Sequence, residues 1–515
     1  MSTRRLACLP RLVTSLGLLS ATAFAQEPIS RITVRPDGSA SPGVAWFSFH
    51  PIARDGRHVV FATATGDLVV GDTNGRHDIF VRDLATGVTT RVSASNGEAE
   101  ANRGSFHPSI SADGRFVAFA SAASNLISND TNNFDDIFLR DRDPDGNGLF
   151  DESNSTTRRI SRKVNGTQSN GLSDLTAIAA DGSYVAFQCD GPNIVPGVDN
   201  NGDRDVFVRD RQAGVTILAS LASDGSQGND DSFEPSISGD GTHLSFTSDA
   251  DNFFVGDGNQ RSDVFVRDLV AGTLTHVSRN ALGVPFDRSS YTSWLSGDGS
   301  VVVFTTDAWN VAPEDTNFNT DAILVDLATG AIEVISENCI GFSANQRSLY
   351  PSCSGDGLRV VFFSEASDLV SDAIGGEHLY VHDRSIAWPE AAHASYGSGW
   401  PGTLGIPSFT ATGDPEFNTT IDLLVDNSSG AWNVGFLFIG ASEAQVPTNR
   451  GGTLLVAPFL MLPLALPPAG WSEPADIPGD VTLCGAEFDL QMIQFDPGAS
   501  HGMSFTPGLK LVIGR

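Results

Sequence analysis

The sequence predicts an all-β protein: a six-bladed β-propeller closed by the N-terminal strand, followed by a small β-sandwich domain. Three observations carry this reading. First, the phrase "DIFVRDLATG" at residues 78–87 returns as "DIFLRDRDPDG" from Asp136, "DVFVRDRQAG" from Asp205, "DVFVRDLVAG" from Asp263, "DAILVDLATG" from Asp321 and, worn, "HLYVHDRS" from His378. Second, an Asp-Gly phrase precedes each copy, at Asp55, Asp113, Asp181, Asp240, Asp298 and Asp356. These aspartates lie 58 or 59 residues apart, save one interval of 68 that holds an insertion. Third, the repeat stops near Trp388, and alternating apolar runs of another kind succeed it.

Residues 1–25 read as a signal peptide. Arg4, Arg5 and Arg11 flank the start of an apolar run, and Ala23-Phe24-Ala25 supplies a small-residue cleavage site. The mature chain is therefore expected to start at Gln26 and to be exported, periplasmic or extracellular. No later stretch is long and apolar enough to span a bilayer, so no transmembrane segment is expected in it.

Residues 26–388 form the expected ring. Each unit reads as four short strands: one like "HPSISA", an Asp-Gly turn whose glycine suits a tight hairpin, one like "RFVAFAS", one like "DIFVRD", and one like "TTRVS". The second and third carry apolar residues on both faces and need cover on both sides, which neighbouring blades give. "SRITVR" at residues 30–35 resembles a lone fourth strand, while the sixth unit fades after its third. Pairing the two would close the ring and hide an edge. Residues 389–400 are a Pro/Gly-rich linker. Residues 401–515 hold several short alternating runs, the mark of a β-sandwich.

"SADGRFVAFAS" together with "DIFVRDLATG" resembles the WD-repeat-like blades of the TolB-like propellers, over roughly residues 30 to 385. That resemblance implies fold. The architecture hosts binding proteins, peptidase gating domains and some enzymes, so function must be read from sites. The phrases "YGSGWPG", "QMIQFDPGA" and "GLKLVIG" resemble a C-terminal module of secreted proteins of environmental bacteria. In that module a Cys often stands where Trp400 stands here, so the disulfide it implies to Cys484 lacks its partner.

The charge narrows the partners. The chain has 62 acidic and 31 basic residues and a net charge of −31. This excludes nucleic acid and anionic membrane surfaces, and it suits solubility, calcium or a basic partner. Beyond the leader lie Cys189, Cys339, Cys353 and Cys484. None has zinc-site spacing. Cys339 and Cys353 are near in sequence and could pair, and nothing in the sequence fixes the pairing.

The sharpest local motif is "DRDPDGNGLFDE" at 141–152, with the spacing of an EF-hand calcium loop. Asp141, Asp143, Asp145 and Glu152, with the carbonyl of Asn147, would hold a structural Ca2+. The flanks read as strands, so the loop would sit in a hairpin of blade 2. The loops ending at Asp78, Asp136, Asp205, Asp263 and Asp321 repeat an acidic "DTN"-like pattern, read as Asx-turns. Arg82, Arg140, Arg209 and Arg267 are expected to pair with nearby aspartates.

A binding site should break the symmetry of the repeat. Small residues at Ser111, Ala179, Ser238, Ser296 and Ser354 are expected to face the axis. Just before them the units differ: His107, Leu175, Glu234, Thr292 and Tyr350, with His50 near-equivalent in blade 1. These should ring one mouth of the channel. No Gly-x-Ser-x-Gly or His-Glu-x-x-His motif appears. The expectation is an exported, non-enzymatic binding or scaffold protein with an unidentified protein or glycan partner. The alternatives are a propeller glycan hydrolase using carboxylates at the mouth and a calcium-stabilised cell-surface protein.

Overall fold

The computed structural model describes residues 52–515 apart from 164, 193, 196–198, 258, 313, 314, 316, 371–375 and 480, together with 34–37, 39 and 41. These residues form no α-helix; their only helical turn is the 3-10 turn Val481–Leu483. No helix is long and apolar enough to cross a membrane. Six small antiparallel sheets succeed one another, and two further sheets come after them. The fold is a β-propeller followed by a β-sandwich.

Blade 2 shows the plan. Ser105–Ile110, Phe116–Ser121, Asp136–Asp141 and Thr156–Arg159 pair in chain order. The second and third strands of each blade place large side chains opposite each other: Phe61 and Phe80, Phe119 and Phe138, Phe187 and Phe207, Phe246 and Phe265. Their ring centroids lie 5.8–6.0 Å apart. All eight rings are buried; Phe119, Phe138, Phe187, Phe207, Phe246 and Phe265 pack with the preceding blade, and Phe61 and Phe80 with Leu68 of their own.

The recurrent phrase is explained by hydrogen bonds. The aspartate opening the third strand of blades 1 to 5 is buried and accepts from a serine after the fourth: Ser93 to Asp78, Ser161 to Asp136, Ser220 to Asp205, Ser278 to Asp263 and Ser336 to Asp321, at 2.5–2.7 Å. The same hydroxyl accepts the amide of the next residue in the third strand, as Ser161 does from Ile137. The repetition is thus architectural.

The repeated arginines depart from expectation. Arg267 donates to the carbonyls of Leu221 and Ala222 in the preceding blade, and Arg140 to those of Ala94 and Ser95. Arg82 and Arg209 donate to Thr89 and Thr216. Among the described residues, Arg140 alone of the four forms an ion pair, with Glu98. The reason is position: these side chains lie between blades, where backbone carbonyls need donors.

Ile52, Ile110, Ile178, Ile237, Leu295 and Cys353 come from six successive units and line one cavity of about 340 Å³. The units therefore surround a common axis. Ser111, Ala179, Ser238 and Ser296, expected to face it, are fully buried instead, and only Ser354 of the five lines the cavity. Ser111 donates to Asp113 and accepts the amide of Phe116, holding the Asp-Gly turn. Side chains alternate along a strand, so the neighbours on either side face the axis.

The closing strand expected at residues 30–35 lies outside the described residues except for Val34 and Arg35. The turn at its end is described. The Arg35 amide donates to the Ser39 carbonyl at 2.8 Å. The same turn comes after the fourth strand of other blades, as in Ser95 to Ala99 and Lys163 to Thr167. Asp67 of blade 1 binds Arg35 at 2.7 Å and Ser41 at 2.7 Å.

The sandwich begins at Ala392–Tyr396, inside the stretch read as a linker. That strand pairs with Gly508–Val512 in a sheet completed by Glu487–Phe495, Asn433–Pro447, Thr453–Leu466 and Met503–Phe505. Phe409–Ala411, Thr420–Val425 and Trp471–Asp476 form the second sheet. Phe409, Ile421, Leu437, Met492 and Leu509 fill the space between. The two domains touch. Arg515 pairs with Glu337 at 2.8 Å and donates to the carbonyls of Asn338 and Cys339. The Cys339 thiol lies 3.9 Å from the carbonyl oxygen of Val481 and beside Cys484.

Candidate functional site

The first strands of blades 2 to 6 each carry a register shift near the start, as between Phe106 and Ser109 or Tyr291 and Trp294. The residue at the bulge has positive φ: His107 at 48°, Leu175 at 44°, Glu234 at 55°, Thr292 at 56° and Tyr350 at 53°. These are the positions the sequence singled out as differing between blades. None is Gly, and Thr292 is β-branched, so the backbone there is strained. A bulge re-aims its side chain and frees backbone groups from the ladder. The freed groups bond across blades. Glu234 accepts the amide of Thr292 at 2.7 Å, Gln188 accepts that of Glu234 at 3.1 Å, and Thr305 accepts that of Tyr350 at 3.2 Å.

The five residues occupy one end of the sheets but do different things. Tyr350 is 55% exposed. His107 bonds Asp174 of blade 3 at 2.6 Å, with both side chains partly exposed. Glu234 is half-buried, and burial raises its pKa above the usual carboxylate range. Thr292 is buried. His107 and Glu234 each have their own partner, and no hydrogen bond joins them. His50 lies outside the described residues.

Two neighbours of the mouth were not foreseen. Asp174 is the partner of His107, and beside it Asp135 has its pKa raised by burial and then by the Asp174 charge. Both lie in ordinary-looking stretches, and only the fold joins them. Around the rim, a cavity of about 480 Å³ is lined by Asp230, Asp249, Asp251 and Arg261. Arg288 stacks on Trp309 at 3.5 Å, and Phe318 meets the same indole edge-on at 5.0 Å. Trp309 and Phe318 are exposed.

The opposite end of the channel is narrowed by Arg54. Its five counterparts are Ala112, Ala180, Gly239, Gly297 and Gly355. The guanidinium reaches from blade 1 to the turns of blades 4, 5 and 6, where a Cβ on Gly239 or Gly297 would run into it. This break in the repeat was legible by lining up the units.

The acidic loop 141–152 sits in a hairpin of blade 2, between Asp136–Asp141 and Thr156–Arg159. Asp141 is held by Arg115 through two bonds of 2.8 and 3.0 Å. Asp143 accepts the amides of Asn147 and Gly148. The side-chain amide of Asn147 joins Asp145 and Glu152, at 3.2 and 2.8 Å. Asp145, Asn147 and Glu152 thus come together, while Asp141 is turned toward Arg115.

No family model matches the sequence, and no curated protein matches it. Among solved structures, a TolB-type protein of Agrobacterium tumefaciens aligns at 16% identity and TM-score 0.35, over 67% of this chain and 91% of its own. A glycoside hydrolase aligns at 13% identity and TM-score 0.23, over 56% and 90%. A GH43 glycoside hydrolase aligns at 9% identity and TM-score 0.23, over 92% and 91%.

Proposed function

We propose that the protein is exported and works as a non-enzymatic binding protein, with the bulged mouth of its propeller as the interaction surface. The observation that carries this is the ring at His107, Leu175, Glu234, Thr292 and Tyr350: one backbone geometry presenting five different side chains. Constant scaffold with varied display suits recognition. Acidic groups at the mouth and exposed Tyr350, Trp309 and Phe318 suit a basic, partly apolar segment of a protein partner. The sandwich adds a second contact surface. Its edge strand Thr453–Leu466 exposes Phe459, Leu460, Met461 and Leu462 in a row. In the same reading residues 30–35 complete blade 6, supported by the Arg35–Ser39 turn that repeats the turn between blades. In this reading the hairpin 141–152 holds a structural calcium through Asp145, Glu152 and the carbonyl of Asn147. The test is capture of a partner from native envelope extract by the mature chain. Tyr350→Ala combined with His107→Ala is expected to weaken capture at least tenfold; unchanged capture would refute the mouth as the surface.

One observation favours a second reading. A half-buried carboxyl with a raised pKa, as at Glu234, is what a general acid in glycoside cleavage requires. Activity on a glycan panel that is lost in Glu234→Gln would replace binding with hydrolysis.

A further inference from the structure

Each of blades 1 to 5 repeats a buried acidic corner away from the axis. An aspartate in the loop after the second strand and the one opening the third stand six residues apart: Asp72 and Asp78, Asp130 and Asp136, Asp199 and Asp205, Asp257 and Asp263, Asp315 and Asp321. The corners are not balanced alike. In blade 3 the amide nitrogen of Gln227 sits between the two carboxylates, 2.8 Å from Asp205 and 3.3 Å from Asp199. In blade 2 Arg159 lies 3.1 Å from Asp136 and 3.8 Å from Asp130. In blade 4 His276 lies 3.1 Å from Asp263.

Blade 1 differs. Where blades 2 and 3 have Gln168 and Gln227, it has Glu100. Glu100 accepts the amides of Thr73 and Asn74, at 2.7 and 2.9 Å. Gln168 and Gln227 do the same for Thr131 and Asn200 with a neutral oxygen. The backbone task therefore needs no charge, and the charge of Glu100 is surplus to it. Glu100 also lacks the N–H with which Gln227 answers its aspartates. In consequence Asp72, Asp78 and Glu100 offer carboxylate oxygens all within 4.8 Å of one another. The Asp72 side chain is 1% exposed, and its Oδ2 has no hydrogen-bond partner. Arg91 stands 3.3 Å from Glu100 and 3.9 Å from Asp72, setting one positive charge against three negative. Burial, and then the Asp78 charge, push Asp72 up to about 6.

We propose that Asp72, Asp78 and Glu100 of blade 1 bind one hard divalent cation of the calcium class. The donors are all carboxylate oxygens, which select calcium or magnesium over the metals that prefer nitrogen or sulfur. A doubly charged ion cancels the charge that Arg91 leaves over, and it gives the buried Asp72 oxygen a partner. It would tie the loop after the second strand of blade 1 to the loop leading into blade 2. The site is separate from the hairpin 141–152, which joins the third and fourth strands at the other end of the sheets.

The test uses the whole mature chain, stripped with a chelator, in a background carrying Asp145→Asn and Glu152→Gln so that the hairpin cannot contribute. Calcium chloride is titrated calorimetrically, and melting is followed in calcium and in chelator. One equivalent is expected to bind and to raise Tm by a few degrees, because a ligand of the folded state stabilises it. Glu100→Gln gives blade 1 the amide of blades 2 and 3; it should remove both the binding and the rise while melting in chelator no lower than its parent. Asp72→Asn should likewise remove both. The proposal is overturned if the background chain binds no calcium, or if either variant keeps the binding and the rise.

Discussion

Asp321 is buried at the start of its strand, beneath Ser336 and beside Asp315. Burial, with the Asp315 charge adding to it, pushes its pKa up to about 7. The unfolded chain loses this proton near the usual carboxylate value of about 3.9. The native state keeps it longer, so the group's contribution is complete below that pH and is lost as pH rises through about 7. Asp321→Asn keeps an acceptor for Ser336 and cannot ionise. It should exceed the parent in stability by about 1–3 kcal/mol at pH 8, with the gap closing toward pH 4. Urea unfolding at both pH values checks this. The sequence showed this aspartate in five of the six units but not its burial, which depends on a serine 15 residues on folding back over it. His107 was legible as a symmetry breaker. Its partner Asp174 was not, because the two are 67 residues apart and meet only when blades 2 and 3 stack.

Between blades, apolar clusters are joined by long side chains that reach across. Arg140 is 2% exposed and reaches two carbonyls of blade 1. Arg140→Met would keep much of the volume but take the donor from the Ser95 carbonyl and the ion pair from Glu98, while Ala94 keeps the Thr157 hydroxyl. A loss of about 2–4 kcal/mol is expected, measured as unfolding free energy. A sequence reading pairs an arginine with an acid because charge is visible in a string; a carbonyl of the next blade is not. The same limit applies to the first strands. Their existence followed from the Asp-Gly turn and the β-branched run after it. Which face met the axis did not follow, since a shift of one residue exchanges faces. The bulges at His107 and its counterparts left no mark in local composition, because non-glycine residues hold the positive φ.

At the scale of the molecule, the proposed closure of the ring by residues 30–35 has a direct test. Removing residues 26–35 should lower Tm and broaden the thermal transition if this segment completes blade 6; an unchanged sharp transition would place the closure elsewhere. The seam with the sandwich offers a second test. Burial, and then the neighbouring Cys484 thiol, push Cys339 up to about 12. Treatment with a small disulfide oxidant should join Cys339 and Cys484, seen as a linked peptide pair by mass spectrometry and lost in Cys484→Ser. The repeat made the ring legible at once. The seam was hidden, because Cys339 and Cys484 belong to different domains and nothing near either names the other. Arg54 carries a last consequence. It makes the two ends of the axis unequal: a single long cation leans over the glycine turns of three blades at one end, while five unlike side chains stand at the other.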